Sequence, residues 1–527
     1  MTWTKAASLA DLREKPIVFK QAMLQIALFH VDEHVFAVDN RCPHEGYPLA
    51  MGKISADCVL TCNWHNWKFR LEDGTCILGG DNVRTYPTRL ENDDVWVDIT
   101  PPDPEEARRR ILQGLRTAFD DRDFGRICRE IARLHFQGCD PKDAVRDAIS
   151  WSYDRLEYGD SHAYAGTADW LALANTFGGD FEKQLICFAE AVDHMAFDSL
   201  RRPRYPYGNT REPFERHAFL AAVEAEQASR AEGMVASALT AGLHWVDLEE
   251  VFAMAALAHY NDFGHSVIYV QKTAELLVLV GSDAERYILP PLARQLCYAT
   301  REDLIPDFKD YASVLQGLPE PRTASIGALP LKVPFPSHLS QAFRWLGESL
   351  ATYSVTEVYD ALLTALALNL LHYDTEYSRA FDRPVGNNVS WLDFTHGITF
   401  SSGVRLLCTK NPELWRAGLL QMACFLGRNS RYLDRELNVE EWRVRDSAEF
   451  FAETRDRLLD HGISEPIFAV HRLKTTRAVE TELPFASLEC RKALLSALNR
   501  FLHSSIKMKH VRRLARQAIA LVSRDFA

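Results

Sequence analysis

Two short segments near the amino terminus each place one cysteine and one histidine within four residues of each other. The first is Cys42-Pro43-His44 and the second is Cys62-Asn63-Trp64-His65, with seventeen residues between them. Each segment therefore offers one thiolate and one imidazole, and both are strong ligands for transition metals. A chain that brings the two segments together must fold around a metal centre, so this spacing constrains the first hundred residues more than any other feature.

The two segments carry the donor set of a [2Fe–2S] cluster with mixed ligands. One iron of such a cluster takes two cysteine sulfurs, and the other takes two histidine nitrogens. Neutral imidazoles in place of two anionic thiolates make the cluster less negative and raise its reduction potential. A Cys₂His₂ zinc site uses the same ligand types, although a C-x-H pair is not the spacing of a zinc finger. Visible absorption separates the two, because zinc is colourless and the cluster is red-brown.

Residues 1–100 consist of short apolar or alternating segments joined by tight turns. The stretches with this pattern are 24–31, 35–38, 59–61, 68–71 and 94–98. They predict several short strands and hence a small all-β domain. The run Thr100-Pro101-Pro102-Asp103-Pro104 interrupts strand and helix alike, because proline lacks a backbone donor and restricts the residue before it. A helical pattern then opens at Glu105, so we predict one domain over 1–100 and another over 105–527.

The region around the second segment resembles the Rieske ferredoxin domain, in the form found in bacterial ferredoxins and ring-hydroxylating oxygenases. The matching features are the phrase Cys62–Phe69, the turn Asp73-Gly74 and the later Tyr86-Pro87. The resemblance implies a Rieske-type [2Fe–2S] cluster bound by four ligands: Cys42, His44, Cys62 and His65. The respiratory-chain form has a further cysteine beside each ligand loop, and these two form a disulfide. Neither loop has one here, so Cys58 and Cys76 are predicted to be structural.

The rest of the chain has helical apolar spacing almost to its end, which predicts a multidomain α+β protein with a large all-α domain. Two parts of this region share sequence elements. His-Tyr occurs at residues 259–260 and 372–373, and Asp-Phe-x-His occurs at 262–265 and 393–396, each time followed by a Leu-Leu pair. Asp160-Ser161-His162 reads as a third, degraded copy. The recurrence indicates internal duplication of a helical unit.

If the duplicated halves pack about a pseudo-twofold axis, His265 and His396 converge on one cavity. There they could ligate iron, act as a general base or bind substrate, and they are our candidate catalytic residues. A haem or a second iron site is compatible with this setting, although the Glu-x-x-His pair of a di-iron site is absent. An Asp-x-x-His segment at a helix start can equally be an N-cap with no further role. Whether the other histidines join a site stays open at this stage; they are His162, His194, His259 and His372.

The helical region lacks the iron-binding pattern of ring-hydroxylating oxygenases, in which an Asp precedes one histidine and a second histidine follows about five residues later. Asp262 precedes His265, but no second histidine follows at that spacing. The Asp-Phe-x-His segments instead resemble the questin oxidase-like family, which is all-helical and includes an oxygenase that opens a quinone ring by Baeyer–Villiger-type oxidation. That resemblance implies an oxidative enzyme behind an electron-transfer domain.

Composition limits the kinds of binding partner and the cellular compartment that we expect. The formal net charge of −12 argues against a surface built for nucleic acid or an anionic membrane, and no apolar run approaches a membrane span. Eleven scattered cysteines without a secretory segment predict a cytoplasmic protein. No glycine-rich nucleotide fingerprint follows a strand, so we expect an external reductase or ferredoxin to supply electrons, with a small molecule as substrate.

Two functions remain open. In the first, the chain is an oxidoreductase whose Rieske cluster passes electrons to an oxygenase or other redox site in the helical domain. In the second, it is an electron-transfer or redox-sensing protein whose helical domain is a non-catalytic docking scaffold. Metal analysis separates them, because a carrier holds only the cluster irons, whereas the enzyme holds a further metal or a haem.

Overall fold

A computed structural model describes residues 2–199, 204–209, 212–327, 329–384 and 387–522. The chain divides into two compact units, Met1–Pro141 and Lys142–Ala527. The protein is 60% helical and 11% strand, with a small β domain at the amino terminus and a large all-helical region after it. The predicted fold class is therefore confirmed.

The first unit contains three small antiparallel sheets. Their strand orders are β1-β10-β9, β2-β3-β4 and β5-β6-β7-β8. The strands are β1 (Trp3–Ser8), β2 (Ile17–Gln21), β3 (Leu24–Val31), β4 (His34–Asp39), β5 (Lys53–Ile54), β6 (Val59–Thr61), β7 (Lys68–Arg70), β8 (Cys76–Leu78), β9 (Thr88–Glu91) and β10 (Asp94–Asp98).

Strand β3 divides the interior of the first unit into two cores. Its central residues alternate between faces, as side chains on a strand must. Ile26 and Leu28 pack in the core that contains the β10 residues, whereas Ala27 and Phe29 pack in the core that contains Cys42 and Cys62. All four central residues are buried, which explains why this segment reads as a continuous apolar run.

Three helices belong to the first unit: α1 (Leu9–Glu14), α2 (Pro104–Asp121) and α3 (Phe124–Phe136). Helix α2 starts where the proline-rich run predicts, with Asp103 as its N-cap and Pro104 in its first turn. The change from strand to helix thus lies between β10 and α2, whereas the compact unit continues to Pro141. The division into domains at 1–100 and 105–527 stays a prediction.

The second unit is built from helices throughout its described length. They are α4 (Asp143–Ser152), α5 (His162–Thr176), α6 (Phe181–Ser199), α7 (Arg216–Glu224), α8 (Ala228–Thr240), α9 (Trp245–Leu257), α10 (His265–Val280), α11 (Glu285–Tyr298), α12 (Tyr311–Gly317), α13 (Leu339–Thr352), α14 (Val355–Leu371), α15 (Glu376–Arg379), α16 (Trp391–Lys410), α17 (Trp415–Asn429), α18 (Ser447–Leu459), α19 (Pro466–Glu482), α20 (Leu488–Leu502) and α21 (Val511–Val522). No helix in the described ranges combines the length and the apolar character that a membrane crossing requires.

Four of these helices form a closed ring in the interior of the second unit. Helix α5 packs against α10 and α19, and α16 packs against the same two helices from the other side. Each of the four is buried over most of its circumference. A helix in this position needs no polar face, so charged or polar side chains that remain inside the ring require an explanation.

The two Asp-Phe-x-His segments have different backbone conformations. Asp262 and Phe263 both have positive φ, in a tight turn that ends at His265, the first residue of α10. In the other segment, Asp393 lies within α16 and completes a capping box with Ser390. The same sequence motif therefore adopts two different local structures, and the internal duplication stays a prediction.

Candidate metal centres

The two cysteine–histidine segments of the first unit fold into matching loops. In one, the Cys42 N–H donates to the Tyr47 carbonyl (2.9 Å), and in the other the Cys62 N–H donates to the Trp67 carbonyl (2.8 Å). The residue four positions after each cysteine, Gly46 or Asn66, has positive φ and donates its N–H back to the cysteine carbonyl. Glycine and asparagine are the residues that tolerate this conformation best.

The loops place their sulfur donors inside and their nitrogen donors outside. Cys42 and Cys62 are 3% and 2% exposed, within the core beside β3. The Nδ1 atoms of His44 and His65 face each other at 3.1 Å, nearer the surface. Burial, together with the neighbouring Cys62, raises the pKa of the Cys42 thiol to about 11. An inner sulfur pair and an outer nitrogen pair fit a cluster whose two irons take different ligands.

Indole rings flank both histidines. Trp67 stacks on His44 with ring centroids 4.7 Å apart and planes 12° apart. Trp64 stacks on His65 at 4.8 Å and is 57% exposed. The His44 side is therefore covered, whereas the His65 side faces solvent.

Residues 2–87 match the family model of the Rieske [2Fe–2S] domain. This part of the chain is a Rieske domain. The predicted cofactor, a Rieske [2Fe–2S] cluster, is thereby confirmed, and the domain implies electron transfer. The assignment of individual ligands stays a prediction that the paired loops support.

The relatives of this Rieske domain include ferredoxin subunits. The ferredoxin subunit of 3-phenylpropionate/cinnamic acid dioxygenase from Shigella boydii is 29% identical over 101 residues, which are 19% of this chain and 95% of the relative. Its counterpart from Escherichia coli K12 matches to the same extent. Among solved structures, the ferredoxin of carbazole 1,9a-dioxygenase from Nocardioides aromaticivorans is 23% identical, with a TM-score of 0.18; the match covers 19% of this chain and 100% of that one. These matches leave the second unit unassigned.

The second unit has a donor cluster of its own. His162 on α5, His265 on α10, His396 on α16 and His471 on α19 form what we name the four-histidine cluster. The Nε2 atom of His265 lies 3.2 Å from that of His162 and 2.8 Å from that of His396. The Nε2 atoms of His396 and His471 are 3.3 Å apart. The ligand atoms of His162, His265 and His396 all lie within 4.8 Å of one another, and His471 adjoins this trio through His396.

The other nitrogen of each ring has a partner outside this space. The Nδ1 atoms of His396 and His471 donate to the carbonyls of Leu392 (2.6 Å) and Ile467 (2.5 Å), one turn earlier on the same helices. A carbonyl can only accept, so in a neutral ring the proton sits on Nδ1 and the Nε2 lone pair points inward. Two such lone pairs 3.3 Å apart have no proton to share with each other. The donors within reach of His396 Nε2 are Lys474 Nζ at 3.4 Å and, in one tautomer, His265 Nε2 at 2.8 Å, and a bound cation would take their place.

Polar side chains lie beside the outer nitrogens of the remaining two rings. The Nδ1 of His265 lies 3.7 Å from a carboxylate oxygen of Asp262, and the Nδ1 of His162 is 3.2 Å from the Tyr269 hydroxyl. Metal-binding histidines usually have such an outer partner, which fixes the ring and its tautomer. Nitrogens bound at about 2.0–2.1 Å to one ion lie roughly 3 Å from each other, close to the separations seen here.

The electrostatics of this region disfavour protonated rings. Burial lowers the pKa values of His162, His396 and His471, and the neighbouring Lys474 lowers them further. Lys474 Nζ lies 3.4 Å from His396 Nε2, and burial lowers the pKa of Lys474 itself to about 7. His471 is fully buried and His396 is 5% exposed, whereas His162 and His265 are half-buried. Burial thus favours the neutral form of His162, His396 and His471. The side of the cluster that His162 and His265 form is less enclosed than the other side.

Sequence reasoning found part of this cluster. The predicted pair, His265 and His396, is brought together, and His162 joins it. His471 and Lys474 were missed, because each is a single polar residue in a helical stretch without a recurring motif. The available signal was weak: His471 and Lys474 lie one turn apart on α19, next to apolar residues such as Val470 and Leu473.

The other histidines under consideration lie outside the ring contacts that define the cluster. His194 is buried on α6. His259 lines a cavity of about 510 Å³ and contacts the carboxylates of Glu224 (2.6 Å) and Asp303 (3.2 Å). The ring of His372, at the end of α14, bonds the Asp434 carbonyl through Nδ1 at 3.0 Å. None of these three supplies a nitrogen to the contacts that define the four-histidine cluster.

Proposed function

We propose that this chain is an oxidoreductase with two metal centres. The Rieske ligand set, which comprises Cys42, His44, Cys62 and His65, holds the [2Fe–2S] cluster of the first unit. The four-histidine cluster holds a redox-active metal ion in the second unit, and electrons pass from the first centre to the second. The chemistry at the second centre is an oxygenase or other oxidative reaction on a small molecule.

The Rieske ligand set is supported by the equivalence of the two loops. Each loop presents one buried thiol and one outward imidazole from the same hydrogen-bonded turn. When bound, a Rieske cluster carries one electron at a time and forms no bond to substrate. The protein's own contribution is to cover His44 with Trp67 and to leave His65 accessible to an electron donor.

The single observation that supports the second centre is the convergence of three histidines from three different helices, with His471 of a fourth helix beside His396. Burying neutral imidazoles so that their acceptor atoms face one another costs free energy unless a proton or a metal ion lies between them. Burial opposes protonation of the rings of His396 and His471, whereas a metal ion would bind several of the nitrogens at once. Imidazole suits iron, copper and zinc, and an electron-transfer partner in the same chain favours the redox-active ions.

The electron source lies outside this chain in our proposal. A nicotinamide-binding fingerprint is absent from the sequence, so a reductase or another ferredoxin must reduce the Rieske domain. The exposed faces of His65 and Trp64 are a suitable contact for such a donor.

Metal analysis of the purified full-length protein tests the proposal. We expect iron or copper beyond the roughly two irons of the Rieske cluster. His396→Ala and His471→Ala should lose this extra metal and keep the visible spectrum of the cluster, whereas His372→Ala should keep both. Wild-type protein with cluster iron alone, after growth with iron and copper, would favour the electron carrier with a docking scaffold.

Turnover provides the second part of the test. With a reductase supplied, O₂ consumption that depends on an added substrate should disappear in His396→Ala and persist in His372→Ala. Equal rates in the two variants would exclude the four-histidine cluster from the reaction.

A further inference from the structure

A single buried carboxylate joins the Rieske domain to helix α3. Asp81, which follows the Gly79-Gly80 turn, is 2% exposed. It forms ion pairs with Arg126 at 2.7 Å through one oxygen, and with Arg129 at 2.7 Å and Arg133 at 3.4 Å through the other. All three arginines lie on α3, beyond residue 87, where the match to the Rieske family ends.

Glu130 completes this network from the same helix. It pairs with Arg133 at 2.8 Å and lies 3.8 Å from Arg126. Three arginines and two carboxylates make the network positive by one charge. A buried carboxylate surrounded in this way holds its partners firmly, because removing one of them leaves uncompensated charge away from water.

The Gly79-Gly80 turn connects this network to a cluster ligand by direct packing. A Cβ atom on Gly79 would lie 2.4 Å from Trp67 Cδ2 and 2.8 Å from Cys76 Sγ, so the bare backbone rests on the indole. A Cβ on Gly80 would lie 3.4 Å from Trp67 Cη2 and 3.8 Å from Arg126 Cδ. Trp67 also stacks on His44. A chain of contacts therefore runs from His44 through Trp67 and the glycine turn to Arg126.

We propose that Arg126 and Asp81 are positioning residues for the Rieske cluster. Through their ion pair, α3 holds the glycine turn against Trp67, and Trp67 in turn holds the His44 ring and keeps water from that side of the cluster. Helix α3 is thus a working part of the electron-transfer domain of this chain. The inference rests on His44 being a cluster ligand, as proposed above.

Three full-length holoprotein variants test this inference. Arg126→Gln removes the contact with the turn, Trp67→Leu removes the ring that transmits it, and Arg133→Gln removes an equal charge from the same carboxylate without a contact to Gly80. The measurements are the reduction potential of the cluster and the rate at which an iron chelator bleaches its visible absorption.

The expected result separates position from charge. Arg126→Gln and Arg133→Gln both lose one positive charge, so both should lower the reduction potential modestly. Only Arg126→Gln should bleach severalfold faster than the wild type. The double variant Arg126→Gln/Trp67→Leu should bleach no faster than Trp67→Leu, because both changes act on the same path.

Two outcomes would overturn the inference. Equal bleaching rates of Arg126→Gln and Arg133→Gln would show that the arginines affect the cluster only through their charge. Additive increases of the bleaching rate in the double variant would show that Arg126 does not act through Trp67. A failure of the underlying ligand assignment has a different signature. If His44 is not a cluster ligand, His44→Ala will keep the visible spectrum of the Rieske cluster, independently of the bleaching rates of the Arg126 and Trp67 variants.

Discussion

The two proposed metal centres differ in how far apart their candidate ligands lie along the chain. In the first unit, four donors come from two loops of similar conformation, and each loop supplies two of them. In the second unit, each donor comes from a different helix, and neighbouring ligands are separated by 103, 131 and 75 positions. The first site is a local property of two turns, whereas the second is a property of helix packing.

The two centres also differ in charge and access. The Rieske ligand set mixes thiolates with imidazoles and leaves the His65 side open to solvent. The four-histidine cluster contains imidazoles and no thiolate, and two of its rings are almost completely buried. The first arrangement suits exchange of electrons with a partner, and the second suits retention of an ion inside a protein core.

The largest effect should follow from removing one inner sulfur of the Rieske ligand set. Cys62→Ser deletes a buried thiolate ligand, so the red-brown absorption and the EPR signal after dithionite reduction should disappear. The metal of the second unit should remain, since none of its proposed ligands belongs to the first unit. Metal analysis and EPR of the same sample measure both effects.

Cys58→Ser is the matched control for this change. Cys58 packs against the same core as a partly buried residue, but it lies outside both ligand loops. Its spectrum should equal that of the wild type. A cluster that survives Cys62→Ser and is lost in Cys58→Ser would contradict the ligand assignment and reassign the sulfur donor.

The sequence signal for a site is strong where the candidate ligands share a loop and weak where they do not. Cys42 and His44 are two positions apart, so one turn positions both, and the motif is readable in a single sequence. His471 has no such neighbour, because its partners reach it only when α5, α10, α16 and α19 close into a ring. The strand-rich start and the helical remainder were predictable, since hydrophobic periodicity is a local signal.

The Asp-Phe-x-His recurrence suggested an internal duplication, but its use was to single out two histidines. The Nε2 atoms of His265 and His396 lie 2.8 Å apart. The two segments nevertheless have different backbone conformations, a turn with positive φ at Phe263 and a helix at Phe394. Likewise, the assignment of α3 to the first unit could not be predicted. It depends on Asp81 pairing with arginines 45 to 52 positions later, and periodicity does not report such pairs.

The second largest effect should come from removing the metal of the second unit. A ligand that binds only the folded state stabilises it by about 2.7 kcal/mol when its free concentration is ~100 times Kd. Chelation that spares the cluster should therefore lower the Tm of wild-type protein by several degrees. In His471→Ala the same treatment should leave the Tm unchanged, because the site no longer binds the ion.

His372→Ala again serves as the control and should respond to chelation as the wild type does. If His471→Ala keeps a metal-dependent Tm, the stabilising ion is bound elsewhere. The four-histidine cluster would then not be a metal site, and its comparison with the Rieske ligand set would not hold.

The smallest effect distinguishes the two aspartates that look equivalent in the sequence. Asp262 lies 3.7 Å from the Nδ1 of His265, whereas Asp393 accepts the Ser390 N–H at 2.8 Å as part of a helix cap. Removing the outer partner of a metal-bound histidine typically weakens metal affinity about 10- to 100-fold. Asp262→Asn should therefore lower the affinity of the second centre by roughly this factor. Asp393→Asn should cost at most about 1 kcal/mol of folding stability through the weakened cap and leave the affinity unchanged.

Metal titration of the second centre and urea unfolding of the same two variants measure these effects. Equal losses of affinity would mean that the two motif copies act alike, as a duplicated site with two equivalent carboxylates would. A loss confined to Asp262→Asn would instead show that the packing of helices, and not the repeated motif, decides which polar side chains serve the second centre.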